Sequence, residues 1–197
     1  MSTITHPRPT AGATPATPVA TDTTGNKVFR YAAGATRLAL GWIFLWAFLD
    51  KLFALGFSTG RDPKTGVVDT FGPQAWIHDG SPTLGFLKFG TKGPLAEFYQ
   101  GFAGASWANW LFMLGLAAIG TALMLGVATR LATGAGVLML VMMWSAVLAP
   151  ENNPFMDDHI VYALVLVMLA AVGAGRFLGL GGWWERLTIV QQHPILK

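Results

Sequence analysis

Three consecutive ionisable residues, Asp157-Asp158-His159, stand near the start of an otherwise apolar run, ENNPFMDDHIVYALVLVMLAAVGAGR, at residues 151–176. An imidazole between carboxylates takes up and releases protons near neutral pH, so this cluster could serve as a proton relay or as a ligand to a quinone head group. The plainer reading of Asp157 is electrostatic. Carboxylates in the first turn favour the positive end of a helix by ~0.3–1 kcal/mol each. On an ideal helix Phe155, Asp158, His159 and Tyr162 share one face, and Tyr162 adds a polar tip one turn deeper. A second pair, Asp50-Lys51, closes an earlier apolar run. A carboxylate at apolar depth costs about 2.5–3.5 kcal/mol on insertion scales and needs a partner. Lys51 is ~100° away around the helix, so the expected partner is His159, which lies at a matching depth on another span. The alternative is an interfacial charge pair that only marks the helix end. Trp46 precedes Asp50 by one turn, and Trp107 enters a later apolar run with Asn109 and Trp110; Trp46 and Trp107 could stack a quinone ring, although belt or bundle packing is the commoner use of Trp. The candidate site is therefore Asp50, Asp158 and His159 handling protons, with Trp46, Lys51, Trp107, Asn109 and Tyr162 around a quinone.

Several chemistries are excluded. The chain has no cysteine, which rules out disulfides, thiolate catalysis, cysteine-ligated clusters and CxxC redox pairs. Its four histidines are scattered, with no HxxxH or HExxH spacing, so no metal site is expected. There is no phosphate-cradling glycine loop, and Gly173-Ala174-Gly175 falls inside an apolar run. The basic residues are dispersed, which argues against nucleic acid. His78-Asp79 reads as exposed loop.

The elements that must carry these residues are membrane helices. Of 197 residues, 53% are hydrophobic and 12% charged, about half the charge of an ordinary soluble domain. The apolar residues form blocks near 31–57, 107–127, 131–149 and 154–175, each about long enough to cross ~30 Å of hydrocarbon. The expected fold is all-α, a polytopic four-helix membrane bundle in domain 27–180. Asn153-Pro154 reads as the start of the fourth helix. Ala118, Ala122 and Gly126 form a small-xxx-small row that would let helices approach closely. Residues 1–26, rich in Thr, Ala and Pro, read as a disordered tail. The long first loop, 58–106, should hold two or three short interfacial helices, the best at 94–102. Residues 181–197 should form an interfacial tail around Trp183-Trp184. The two tails and second loop hold eight basic residues against two acidic, the first and third loops five against eight. Both termini are thus expected in the cytoplasm and the acidic mouth outside. Arg37, Arg130 and Arg176 read as anchors at inner helix ends, with lipid headgroup binding as the alternative.

Three stretches, RLALGWIFLWAFLDKLF at 37–53, GSPTLGFLKFGTKGPLAEFY at 80–99 and NPFMDDHIVYALVL at 153–166, resemble the DoxX/DoxD family of four-helix bacterial and archaeal membrane proteins. The likeness runs over about 37–184, and the long first loop is similar to the DoxD branch, the small subunit of thiosulfate:quinone oxidoreductase. The resemblance implies a quinone-linked membrane oxidoreductase subunit working with a second, soluble or membrane-bound, subunit. Two other readings stand beside it: a non-catalytic anchor or assembly subunit, which could also form homo-oligomers, and a small-solute or proton channel.

Overall fold

The computed structural model describes residues 23–151 and 153–197. The first helix, α1 (Thr23–Phe53), is the longest in the chain. It begins earlier than expected: residues 23–26 belong to its first turns rather than to a tail, and the remainder of that tail lies outside the described residues. It ends where Ala54 and Gly56 take left-handed backbone angles, φ 53 and 87. The long loop follows, with a 3-10 turn at Trp76–His78, a π turn at Phe86–Gly90, a 3-10 turn at Gly93–Leu95 and the short α2 (Ala96–Gln100). The helix expected at 94–102 is thus present in shortened form. Then come α3 (Ser106–Leu125), α4 (Thr129–Ala146) and α5 (Asp158–Ala171). A 3-10 turn at Ala174–Arg176 leads to α6 (Gly181–Trp184) and α7 (Thr188–Gln192). Among the described residues there is no strand, only an isolated antiparallel bridge between Arg61 and Val68.

The four longer helices pack in a closed ring, α1 on α3, α3 on α4, α4 on α5, and α5 back on α1. Leu40 and Phe44 of α1, Met113, Leu116, Ile119 and Leu123 of α3, Leu140 of α4, and Leu166 and Leu169 of α5 fill the space between them. The opposite faces are exposed and apolar, with Leu111, Leu114, Leu138, Val141, Leu164 and Val167 among them. Burying one stripe and exposing another equally greasy one is what a helix does when its solvent is lipid. By length and composition α1, α3 and α4 can each cross a membrane.

Two expectations need correction. The close approach of α1 and α3 does not use the Ala118–Ala122–Gly126 row, since Ala118 is exposed. It uses Gly41 and Gly120, where a Cβ would meet Met124 N at 2.9 Å and Leu45 N at 2.7 Å. The fourth helix starts at Asp158, four residues after Pro154. Asn153 is spent on a tight turn, its Oδ1 accepting the Phe155 and Met156 N–H at 2.9 and 2.8 Å. Asp157 caps the helix instead, accepting from Ile160 N. The resulting 14 residues rise about 21 Å at ~1.5 Å each, short of ~30 Å of hydrocarbon.

Candidate functional site

The residues singled out in the sequence fall into three separate clusters at one end of the bundle, where α1 stops and α3 and α5 start. In the first cluster, Asp50 is 1% exposed. Its Oδ1 accepts the Phe57 N–H at 3.0 Å, and its Oδ2 accepts the Ser58 N–H at 3.0 Å and the Ser58 hydroxyl at 2.6 Å. Lys51 Nζ donates to the same Ser58 hydroxyl at 3.0 Å, and Trp46 meets the edge of Phe57 at 5.0 Å. The expected Asp50–His159 pair does not form. The chain reverses through residues 54–58 and returns two backbone amides to the carboxylate, so the buried charge is satisfied within a few residues of itself.

The second cluster contains His159. Its Nδ1 donates to Asp157 Oδ2 at 2.8 Å and lies 3.5 Å from Asp158 Oδ1. Asp158 is open, its side chain 68% exposed. Ligand atoms of these three residues lie within 4.8 Å of one another, a grouping that could hold a divalent cation although its sequence spacing matches no metal motif. Tyr162 is half-buried against the bundle core. Asp157 and Asp158 also border a cavity of about 380 Å³ with Gly90, Lys92, Glu151 and Met156. Lys92 pairs with Glu151 there, and its hydrogen bond and charge hold that carboxyl below the usual range.

The third cluster is an open cleft of about 390 Å³, between the end of α1 (Leu52), the first 3-10 turn and its exit (Trp76, Asp79) and the start of α3 (Ser106, Asn109, Trp110). Trp76 and Trp110 meet edge to face with centroids 4.7 Å apart. Asn109 is buried, and its Oδ1 accepts the Thr83 hydroxyl at 2.6 Å, the Ser81 hydroxyl at 3.1 Å and the Thr83 N–H at 3.2 Å. It therefore fixes the loop to α3 and shapes the cleft wall. Trp107 is exposed and does not line the cleft; its ring meets Phe102 at a 40° tilt with centroids 5.2 Å apart. Of the residues expected to surround a quinone, only Asn109 lines this cleft. Asp79 is exposed in the loop, as its sequence context suggests, and borders the open cleft as well. The tight turn ending at Asp79, φ 64, turns it there, and no periodicity marks such a turn.

Sequence reasoning also misplaced Arg37. It is no anchor at a helix end: it lies well inside α1 and is 1% exposed. Its guanidinium donates to the carbonyls of Leu123 and Met124 in the last turn of α3, and to those of Ala174, Phe177 and Leu178 beyond α5. The last carbonyls of a helix lack intrahelical partners and carry the negative end of its dipole. One cation thus ties the end of α3 to the segment that follows α5. The signal for this was the glycine pattern around 175–181, whose Gly179 leaves the guanidinium room: a Cβ there would lie 2.8 Å from Arg37 Nη2.

No family model, no curated protein and no solved structure matches this chain.

Proposed function

We propose that this protein is a multi-pass membrane subunit of a quinone-linked oxidoreductase system, and that the Trp76–Trp110 cleft takes the quinone head group. The observation that carries this is the cleft's composition. Two indoles supply apolar surface for a planar ring, while the Ser106 hydroxyl and the Asp79 carboxylate supply polar contacts at its wall. Its volume of about 390 Å³ falls within the ~300–1,000 Å³ of small-molecule sites. A quinone bound there would supply the two-electron chemistry that a chain without cysteine lacks. Ser106 would donate to a ring oxygen, and Asp79 could accept a proton from a ring hydroxyl at the solvent edge.

The fourth crossing in this reading is made by α5 together with the turns after it. Both termini are cytoplasmic, because the end of the bundle holding α1's start and residues 173–197 is the basic one. The likeness of the first- and fourth-helix segments to DoxX/DoxD proteins agrees with this membrane role. Asp50 and Asn109 are positioning residues here, since both are committed to holding the loop.

Titration of the nanodisc-reconstituted protein with a short-chain quinone, read by tryptophan quenching, tests the proposal. Saturable quenching that is lost in Trp110→Ala is expected; unsaturable quenching equal in both proteins would refute it. The second reading, a non-catalytic anchor, is favoured by the commitment of Asp50, Asn109 and Arg37 to backbone groups. It predicts a co-purifying soluble oxidoreductase and no saturable quinone binding.

A further inference from the structure

The end of the bundle opposite the cleft holds the start of α1, the end of α3, the start of α4 and residues 173–197. Its described basic residues are Lys27, Arg30, Arg37, Arg130, Arg176, Arg186 and Lys197, and its acidic side chain is Glu185. Arg176 takes Glu185, Arg37 is spent on carbonyls, and Arg30 lies over the Phe177 ring at 5.1 Å. Arg130, Arg186 and Lys197 have no carboxylate partner among the described residues.

The segment after α5 is tied down as a strap. Arg130 N donates to the Lys197 carbonyl at 2.8 Å and the Arg130 guanidinium to the Pro194 carbonyl at 3.1 Å. The Trp184 indole donates to the Leu196 carbonyl at 2.5 Å, and Val190 is fully buried beneath. With its backbone and Val190 so fixed, the strap leaves Trp183, Ile189 and Ile195 exposed at the same end as Arg130, Arg186 and Lys197, which have no carboxylate partner among the described residues. Leu125 and Leu131, exposed at the neighbouring ends of α3 and α4, join this apolar surface to the lipid-facing sides of the helices.

We propose that the strap and Arg130 form a docking surface for anionic phospholipid headgroups, with Trp183, Ile189 and Ile195 at the acyl boundary. This rests on the membrane reading above but not on the quinone cleft. Cations next to exposed Trp and Ile at the end of an apolar bundle complement an anionic lipid surface, which attracts basic residues lying close to its plane. A soluble protein partner would have to cover apolar surface continuous with the hydrocarbon-facing helices.

The test is extraction of the full chain from vesicles of phosphatidylcholine with about a third phosphatidylglycerol, followed by native mass spectrometry of retained lipid. Anionic lipid should be enriched at least two-fold over its share of the vesicle. The enrichment should fall in high salt and vanish in the triple variant Arg130→Gln, Arg186→Gln, Lys197→Gln. Arg186→Gln alone, which replaces an exposed side chain that makes no ion pair or hydrogen bond among the described residues, should lower it measurably. Lys64→Gln with Lys88→Gln, at the other end, should not change it. Retention at the vesicle ratio, or enrichment unaltered in the triple variant, overturns the proposal. Alkaline carbonate washing separates the failures: a protein that stays in the membrane without enrichment loses only this proposal, and one that washes out loses the membrane reading with it.

Discussion

Arg37 offers the sharpest energetic test of the fold. Its guanidinium serves five carbonyls, two from the last turn of α3 and three from the turn after α5. Hydrogen bonds to a charged group contribute ~1.5–3 kcal/mol each, although the desolvation of the buried cation offsets part of the sum. Arg37→Met keeps an unbranched stem and removes every donor. In the apolar surroundings of the bundle no water replaces them, so a loss of about 4 kcal/mol is expected, at the upper end for one substitution. For a chain of this length ~1 kcal/mol moves the melting point by about 2–4 °C. Arg37→Met should therefore melt about 8–16 °C below the parent in a detergent thermal scan. Arg37→Lys keeps the charge but not the fork that joins the end of α3 to the turn after α5, and should recover less than half of the loss. Gly179→Ala, whose Cβ would press on the guanidinium, should destabilise in the same assay. An Arg37→Met protein within about 2 °C of the parent would refute the reasoning.

Other perturbations have equally definite outcomes. Asp50→Asn leaves the two amides of residues 57 and 58 with a weaker acceptor, and should raise proteolytic cleavage of the 54–60 turn while His159→Ala leaves that turn unaffected; equal sensitivity in both would restore the Asp50–His159 pairing. Lys92 depresses the Glu151 carboxyl, so the pair stabilises the folded chain above the unfolded carboxyl pKa and is lost as pH falls through the lower folded value. Lys92→Gln should consequently destabilise at neutral pH and converge with the parent in acid, seen as two melting curves that merge below the carboxylate range. Asn109→Ala removes the acceptor of three loop donors, and should cost about 2–3 kcal/mol and speed hydrogen exchange at residues 81–83.

The long helices were legible because their signal is additive. The apolar runs that became α3 and α4 lie within a few residues of their expected bounds, and the long loop fell where turn residues cluster. The start of α5 was not legible, since Asn153 and Asp157 are both good caps and only the chain's path decides which one begins the helix. Asp50 announced that it needed a partner; a pattern of spans could only look for one on another helix. The true donors are backbone amides of residues 57 and 58, brought back by left-handed turns at Ala54 and Gly56, and backbone groups carry no sequence signature. Arg37 failed the same way. Its acceptors are carbonyls, so composition offered only the rule that arginines mark inner ends.

The candidate site followed suit. Asp50 with Lys51, Asp157 to His159, and Asn109 share one end of the bundle, yet each is held by its own neighbours in a separate cluster. The cleft depends on Trp76 and Asp79, which a short irregular turn delivers to the start of α3.

A photo-reactive quinone analogue, applied to the protein in membranes and mapped by peptide mass spectrometry, tests the central reading most directly. Labelling at Trp76 and Trp110, competed by unmodified quinone and reduced in Trp76→Ala, is the predicted result. Labelling confined to residues 157–162, or uncompeted labelling spread over the lipid-facing helix surfaces, would contradict it.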